Sequence, residues 1–206
     1  MHIPDGALPI RQCLMYWLLV APFIAFYILK LRKLDEEAGG RHVVYTAAVA
    51  TFVFAVTLFE IPTPVGIPFH LIMIPFAAIA LGPLSGVLVS FLCLLFQFML
   101  AGEGGFTTLG ANTLVMGVCC SFPAVFSFKL LHDVNERVGI FSGAFLGILT
   151  AAIMNALILT AAGVLPLNFI LPFNVAVYSA EGAFEGVVTV LMMDFLRRVG
   201  FRSVEI

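Results

Sequence analysis

The chain has 206 residues, 62% of them hydrophobic and 11% charged, with a formal net charge of −2. Soluble domains carry about 25% charged residues, so this chain, with a mean hydropathy of +1.11, cannot cover a water-facing surface, and its apolar runs must face lipid. The composition excludes a soluble enzyme, and the length leaves no room for a second, soluble domain.

The chain opens Met1-His2-Ile3-Pro4-Asp5-Gly6. The Met1 amine, the His2 amide nitrogen and the His2 Nδ1 can close two fused chelate rings on one metal. Three nitrogens then lie near one plane, and a fourth in-plane ligand must come from elsewhere. Planar or tetragonal nitrogen coordination favours Ni(II) or Cu(II) over Zn(II), which prefers a tetrahedron. A bulky His at position 2 is a poor context for removal of the initiator Met, so the amine is expected to be that of Met1. Pro4 fixes φ, and Asp5-Gly6 favours a turn.

A hydrocarbon core needs roughly 20 apolar residues per helix. Apolar runs predict spans at 12–30, 43–61, 68–82, 84–101, 109–131, 139–163 and 170–196. The first is not a secretory signal: no basic stretch precedes it, it is long enough to span, and charged residues follow it directly. Gly82-Pro83 joins the short third span to the fourth in a tight hairpin. Cys13, Cys93, Cys119 and Cys120 lack the C-x-x-C spacing of a metal site and read as small apolar packing residues.

Charge sets the orientation. Lys30, Arg32, Lys33 and Arg41 lie between spans one and two, Lys129 and Arg137 between five and six, and Arg197, Arg198 and Arg202 after span seven. Nine of the ten basic residues thus share one face, and only Arg11 lies on the other. The positive-inside rule makes that face cytoplasmic. An odd number of spans then puts the N-terminus outside and the C-terminus inside. Met1 and His2 share the outer side with the loops at 62–67, 101–108 and 163–168.

His42 and His132, beside Arg41 and Asp133, read as solvated cytoplasmic histidines. His70 lies at the outer entry of span three, where an imidazole either bonds a carbonyl or ligates a metal. Asn112 is either a helix N-cap or a support for a metal ligand. Glu103, in an outer loop, attracts cations weakly or is simply solvated. Glu60, near the outer end of span two, reads as solvated. Glu181 and Glu185 share one helix face; buried carboxylates mark a cation path or a partner contact. Gln97 and Asn155 are expected to bond between helices. Small residues repeat at Ala47, Thr51 and Ala55, at Gly139, Gly143 and Gly147, and at Gly182 and Gly186. Such stripes let helices pack closely, within the chain or against another membrane subunit. The sequence contains no phosphate loop of the G-x-x-x-x-G-K-[ST] type. No serine has a credible His partner, and no basic patch suits nucleic acid.

The N-terminal hexapeptide resembles the start of the substrate-binding membrane subunits (S components) of nickel and cobalt energy-coupling-factor transporters. The resemblance continues in His70, in Leu81-Gly82-Pro83, and in Gly104-Gly105-Phe106-Thr107-Thr108-Leu109-Gly110-Ala111-Asn112. It implies a metal held by the Met1 amine, the His2 amide, the His2 imidazole and the His70 imidazole. It also implies that the N-terminal segment tucks into the helix bundle from outside, and that Ala47, Thr51 and Ala55 form a docking stripe. The chain departs from the pattern at Glu103, where many relatives have His, and at Val115, where many have Asn.

The expectation is an all-α, polytopic membrane helix bundle with seven transmembrane helices, forming one domain over 1–206. Residues 1–10 are its metal-binding segment, 12–196 the bundle and 197–206 a cytoplasmic tail. The implied function is capture of Ni(II), alternatively Co(II) for cobalamin synthesis, without enzyme activity. The implied partners are a transmembrane coupling subunit, cytoplasmic ATPase subunits and a small accessory membrane subunit. The rivals are a self-sufficient channel or carrier using Glu181 and Glu185 as a relay, and an intramembrane metalloenzyme. The latter needs an open coordination position that a planar set supplies poorly.

Overall fold

A computed structural model describes residues 1–37, 39–60, 70–198 and 200, and among these every regular element is helical. The helices are α1 (Ile10–Glu37), α2 (His42–Thr57), α3 (Ile74–Leu81), α4 (Pro83–Ala101), α5 (Leu109–His132), α6 (Glu136–Ala161) and α7 (Leu167–Arg198). The last turn of α4, Gln97–Ala101, and the stretch Thr113–Val118 of α5 are π-wound. Among the described residues seven helices therefore stand where seven apolar runs were read, and five of them are long and apolar enough to cross a membrane.

The third run departs from expectation. Its helix begins at Ile74 rather than 68, and eight residues rise only about 12 Å, against a hydrocarbon core of about 30 Å. All eight are buried, so α3 is a half-helix packed inside the bundle. Residues 70–73 before it are not helical, and residues 61–69, including the loop read at 62–67, lie outside the described residues. Non-helical backbone at membrane depth is tolerated where protein surrounds it, which is the case here. The predicted hairpin does form: Gly82 sits at φ +94 between Leu81 and Pro83, a conformation open to glycine, and Pro83 occupies the first helical position, where its missing N–H costs nothing.

The glycine stripes serve packing inside the chain. A Cβ at Gly139, Gly143 or Gly147 would meet the α5 carbonyl of Phe128, Ala124 or Cys120 at 3.0, 2.6 and 2.9 Å. One at Gly186 would meet the Phe141 ring at 2.7 Å. The helices α5, α6 and α7 thus stack at backbone distance, as small residues in lipid permit. Ala47, Thr51 and Ala55 differ, since all three face outward from α2 and stay exposed.

At the basic end, Arg197 pairs with Glu136, and Arg137 reaches Asp194 at 3.0 Å, fastening the start of α6 to the end of α7. His132 is exposed beside Asp133 and Glu136, as read. His42 is not: it is fully buried, with Nε2 3.3 Å from the Tyr27 hydroxyl and 3.4 Å from that of Ser85. The flanking Arg41 signalled water, but α1 and α4 close over the ring. Arg202 lies outside the described residues.

Candidate metal centre

Residues 1–9 precede the first helix at the opposite end of the bundle, with Ile3 and Leu8 buried in it. Ile3 is 1% exposed, which anchors the segment by burying a large aliphatic side chain. Gly6 at φ +83 makes the turn read at Asp5-Gly6. Around Ile3, polar contacts fix the backbone from distant helices. Asn112 Nδ2 donates to the Ile3 carbonyl at 3.0 Å, and its Oδ1 accepts from the Ile3 N–H at 2.8 Å. The Thr108 hydroxyl donates to the same carbonyl at 2.7 Å. Asn155 Nδ2 donates to the Met1 carbonyl at 3.2 Å, while Asn174 Nδ2 donates to Asn155 Oδ1 at 3.1 Å. Residues 1 and 3 are therefore gripped on either side of His2.

Asn112 is thus not a cap. The helix starts three residues earlier, with Thr108 before Leu109, and the side chain of Asn112 reads the Ile3 peptide instead. The turn at 106–108 that leads into α5 is held by the N-terminal segment. Asp5 accepts from the Phe106 N–H at 3.0 Å, the Thr107 N–H at 2.9 Å and the Thr107 hydroxyl at 2.6 Å. Its slight burial works against ionisation, but these hydrogen bonds, with one from Thr108, outweigh it and hold the carboxyl below its usual range. Carboxylate charge at a helix start is stabilised by the helix dipole.

The structure brings His2 and His70 together. Their rings stack with centroids 5.5 Å apart and an interplanar angle of 29°. The other contacts of His2 are Gln97 Oε1, 3.3 Å from Nε2, and Glu103 Oε2, 3.7 Å from Nδ1. Gln97, expected between helices, therefore supports the histidine. Glu103 is not a freely solvated loop carboxylate: it is half-buried beside the His2 Nδ1. The Met1 amine is drawn down from its ordinary pKa chiefly by burial, and burial with the neighbouring amine and His70 pushes His2 down to about 3. A metal needs these nitrogens unprotonated, and burial shifts both toward that state. Among the described residues no group of three or more His, Cys, Asp or Glu side chains could hold a metal. A centre here must draw on the amine and backbone as well as on imidazoles.

Glu181 and Glu185 are 4% and 0% exposed, which removes them from the surface open to a partner, one of the two roles read for them. Glu185 Oε2 accepts from the Ile72 N–H at 2.9 Å and its Oε1 from the Met73 N–H at 2.6 Å. Glu181 Oε1 is buried without a hydrogen-bond partner, one turn away on the same face.

A family model described as the cobalt uptake substrate-specific transmembrane region matches residues 2–202. A putative cobalt transport protein of Archaeoglobus fulgidus is 34% identical over 79% of this chain and 74% of its own length. A cobalt transport protein of Thermosipho melanesiensis is 35% identical over 71% of this chain, which spans 62% of that relative. A fused nickel transport protein of Rhodobacter capsulatus is 31% identical over 96% of this chain and 62% of its own length. The crystal structure of a transition metal transporter superposes with a TM-score of 0.86 at 27% identity, covering 97% of this chain and 93% of that one. The S component of a bacterial energy-coupling-factor transporter shares the fold, with a TM-score of 0.51 over 78% of this chain and 95% of that one at 13% identity. The chain is a multi-pass membrane protein that belongs to the cobalt uptake substrate-specific transmembrane family.

Proposed function

We propose that the chain captures Ni(II), with Co(II) the close alternative, for an ATP-driven uptake transporter. The ligands are the Met1 amine, the His2 amide nitrogen, His2 Nδ1 and the His70 imidazole. The observation that carries this reading is the stacking of His2 on His70 at 5.5 Å beside a buried amine. The grip on residues 1 and 3 supports it, because an amide nitrogen can serve as a ligand only if the backbone around it is placed. Metal affinity rises from Co(II) to Ni(II) at most nitrogen sites, and a planar set with an ionised amide increases the preference for Ni(II). Relatives named for cobalt and for nickel transport both match the chain, so the family supports either ion.

The free energy for transport would come from partners: a transmembrane coupling subunit, cytoplasmic ATPases and a small accessory membrane subunit. The exposed stripe Ala47, Thr51 and Ala55 on α2 is the surface we assign to the coupling subunit. The N-terminus stands outside and the C-terminus in the cytoplasm on this reading, so the metal enters beside Glu103.

Competitive titration of the purified chain with Ni(II) and Co(II), with an absorption spectrum of each complex, tests the assignment. A diamagnetic, yellow Ni(II) complex that outcompetes Co(II) is expected. A paramagnetic Ni(II) complex would rule out the planar set.

A further inference from the structure

The segment that carries His70 has no regular secondary structure of its own. Residues 70–73 precede α3, and Met73 stands at φ +55, unlike every other described non-glycine residue. A non-glycine residue held there is strained and persists only when its surroundings fix it. No side chain of the segment caps α3. The two amides just after His70, those of Ile72 and Met73, both end on the Glu185 carboxylate of α7, at 2.9 and 2.6 Å. That carboxylate is fully buried, as are Ile72 and Met73.

We propose that Glu185 is a positioning residue for the metal centre: by holding the Ile72 and Met73 amides it sets where the His70 imidazole stands. Both oxygens are spent on backbone N–H groups, so the residue neither ligates the metal nor faces a partner. Burying a carboxylate in a membrane bundle is expensive, and a purely packing role would be filled at less cost by an apolar side chain. A carboxylate satisfies two adjacent amides at once, which apolar residues cannot do. The contact also ties α7, whose far end is fastened to α6 through Arg197 and Glu136, to the segment that carries His70. A displacement of α7 would therefore draw His70 away from His2.

The inference rests on His70 being a ligand, and the test separates the two claims. Ni(II) affinity, the Ni(II) absorption spectrum and the thermal midpoint are measured on the purified chain and on four variants. These are His70→Ala, Glu185→Gln, Glu185→Ala and Gly143→Ala. Supporting contacts to metal ligands are worth about 10–100-fold in affinity, and Glu185→Ala should lose that much. Its spectrum should move toward that of His70→Ala. Glu185→Gln, which keeps one acceptor oxygen, should fall between it and the parent, and it carries the test if the alanine variant does not fold. Gly143→Ala, whose Cβ meets the Ala124 carbonyl at 2.6 Å, should lower the midpoint and leave the spectrum unmoved. Unchanged affinity and spectrum in the Glu185 variants, with loss in His70→Ala, would overturn the positioning role and leave the ligand assignment standing. Unchanged binding in His70→Ala would overturn both. A spectral shift in Gly143→Ala equal to that of Glu185→Gln would also overturn it, by showing that loss of stability alone moves the spectrum.

Discussion

The two ends of the bundle use polar residues in opposite ways. At the basic end charges pair with charges on the surface, several within one turn of their own helix: Arg32 with Glu36 and Lys33 with Glu37. Exposed pairs of this kind contribute about 0–1 kcal/mol. At the amine end, side chains reach across more than 100 positions to hold peptide groups. Asn112 grips Ile3, Asp5 grips Phe106 and Thr107, and Glu185 grips Ile72 and Met73. The basic end only has to meet water and headgroups, so approximate placement is enough. The amine end holds backbone in place around His2 and His70, which is what a site using backbone nitrogen requires.

Substitutions should reveal the same contrast. The largest loss at a single side chain is expected for His70→Ala, at least about a hundredfold in Ni(II) affinity, or about 2.8 kcal/mol, read by competitive titration. Asn112→Ala strands the Ile3 N–H and leaves its carbonyl with the Thr108 hydroxyl alone; a buried unsatisfied group costs about 1–3 kcal/mol. Its affinity should fall about 10–100-fold, the range for supports of metal ligands, with no change in the identity of the complex by spectrum. Asp5→Ala removes the acceptor of the exposed Phe106 and Thr107 N–H groups and should weaken binding less.

Asp5 also predicts a pH effect. Its folded-state pKa is depressed, so its contribution is present above the unfolded value and is lost as pH falls through the folded one. Hydrogen exchange at the Phe106 and Thr107 amides should therefore rise, relative to unfolded reference peptides, on acidification below about pH 4. Asp5→Asn should remove that dependence. At the other end, Arg32→Ala should change stability by no more than about 0.5 kcal/mol and leave Ni(II) affinity at the parent value. A metal-affinity loss there equal to that of Asn112→Ala would dissolve the comparison.

The sequence shows the helices better than it shows their ends. Continuous apolar runs mark α4 to α7 closely, because lipid contact demands that composition along the whole helix. The run from 68 to 82 misleads for a physical reason. It is apolar apart from His70, yet residues 70–73 are non-helical, and their Ile72 and Met73 N–H groups end on Glu185, 112 residues from Met73. His42 misleads likewise: Arg41 suggests solvent, and the burial comes from Tyr27 and Ser85 on other helices. In the site, Met1 and His2 are legible because chelate-ring size is a local property of the chain. His70 stands out by its place at the outer entry of the third run, and its pairing with His2 comes only from the family resemblance. The roles of Asp5, Asn112, Gln97, Glu103 and Glu185 are long-range contacts that a single sequence does not encode locally. The nearest local signal is the run Gly104-Gly105-Phe106-Thr107-Thr108, a helix start with no acidic residue of its own.

The central claim is that the terminal amine of Met1 binds the metal. Adding one residue before Met1 leaves every side chain in place and moves the amine beyond the chelate ring. Ni(II) affinity of the extended chain, measured against the parent by competitive titration, tests that claim most directly. Loss of high-affinity binding with the fold intact by circular dichroism is expected. Parent-like affinity in the extended chain would contradict it.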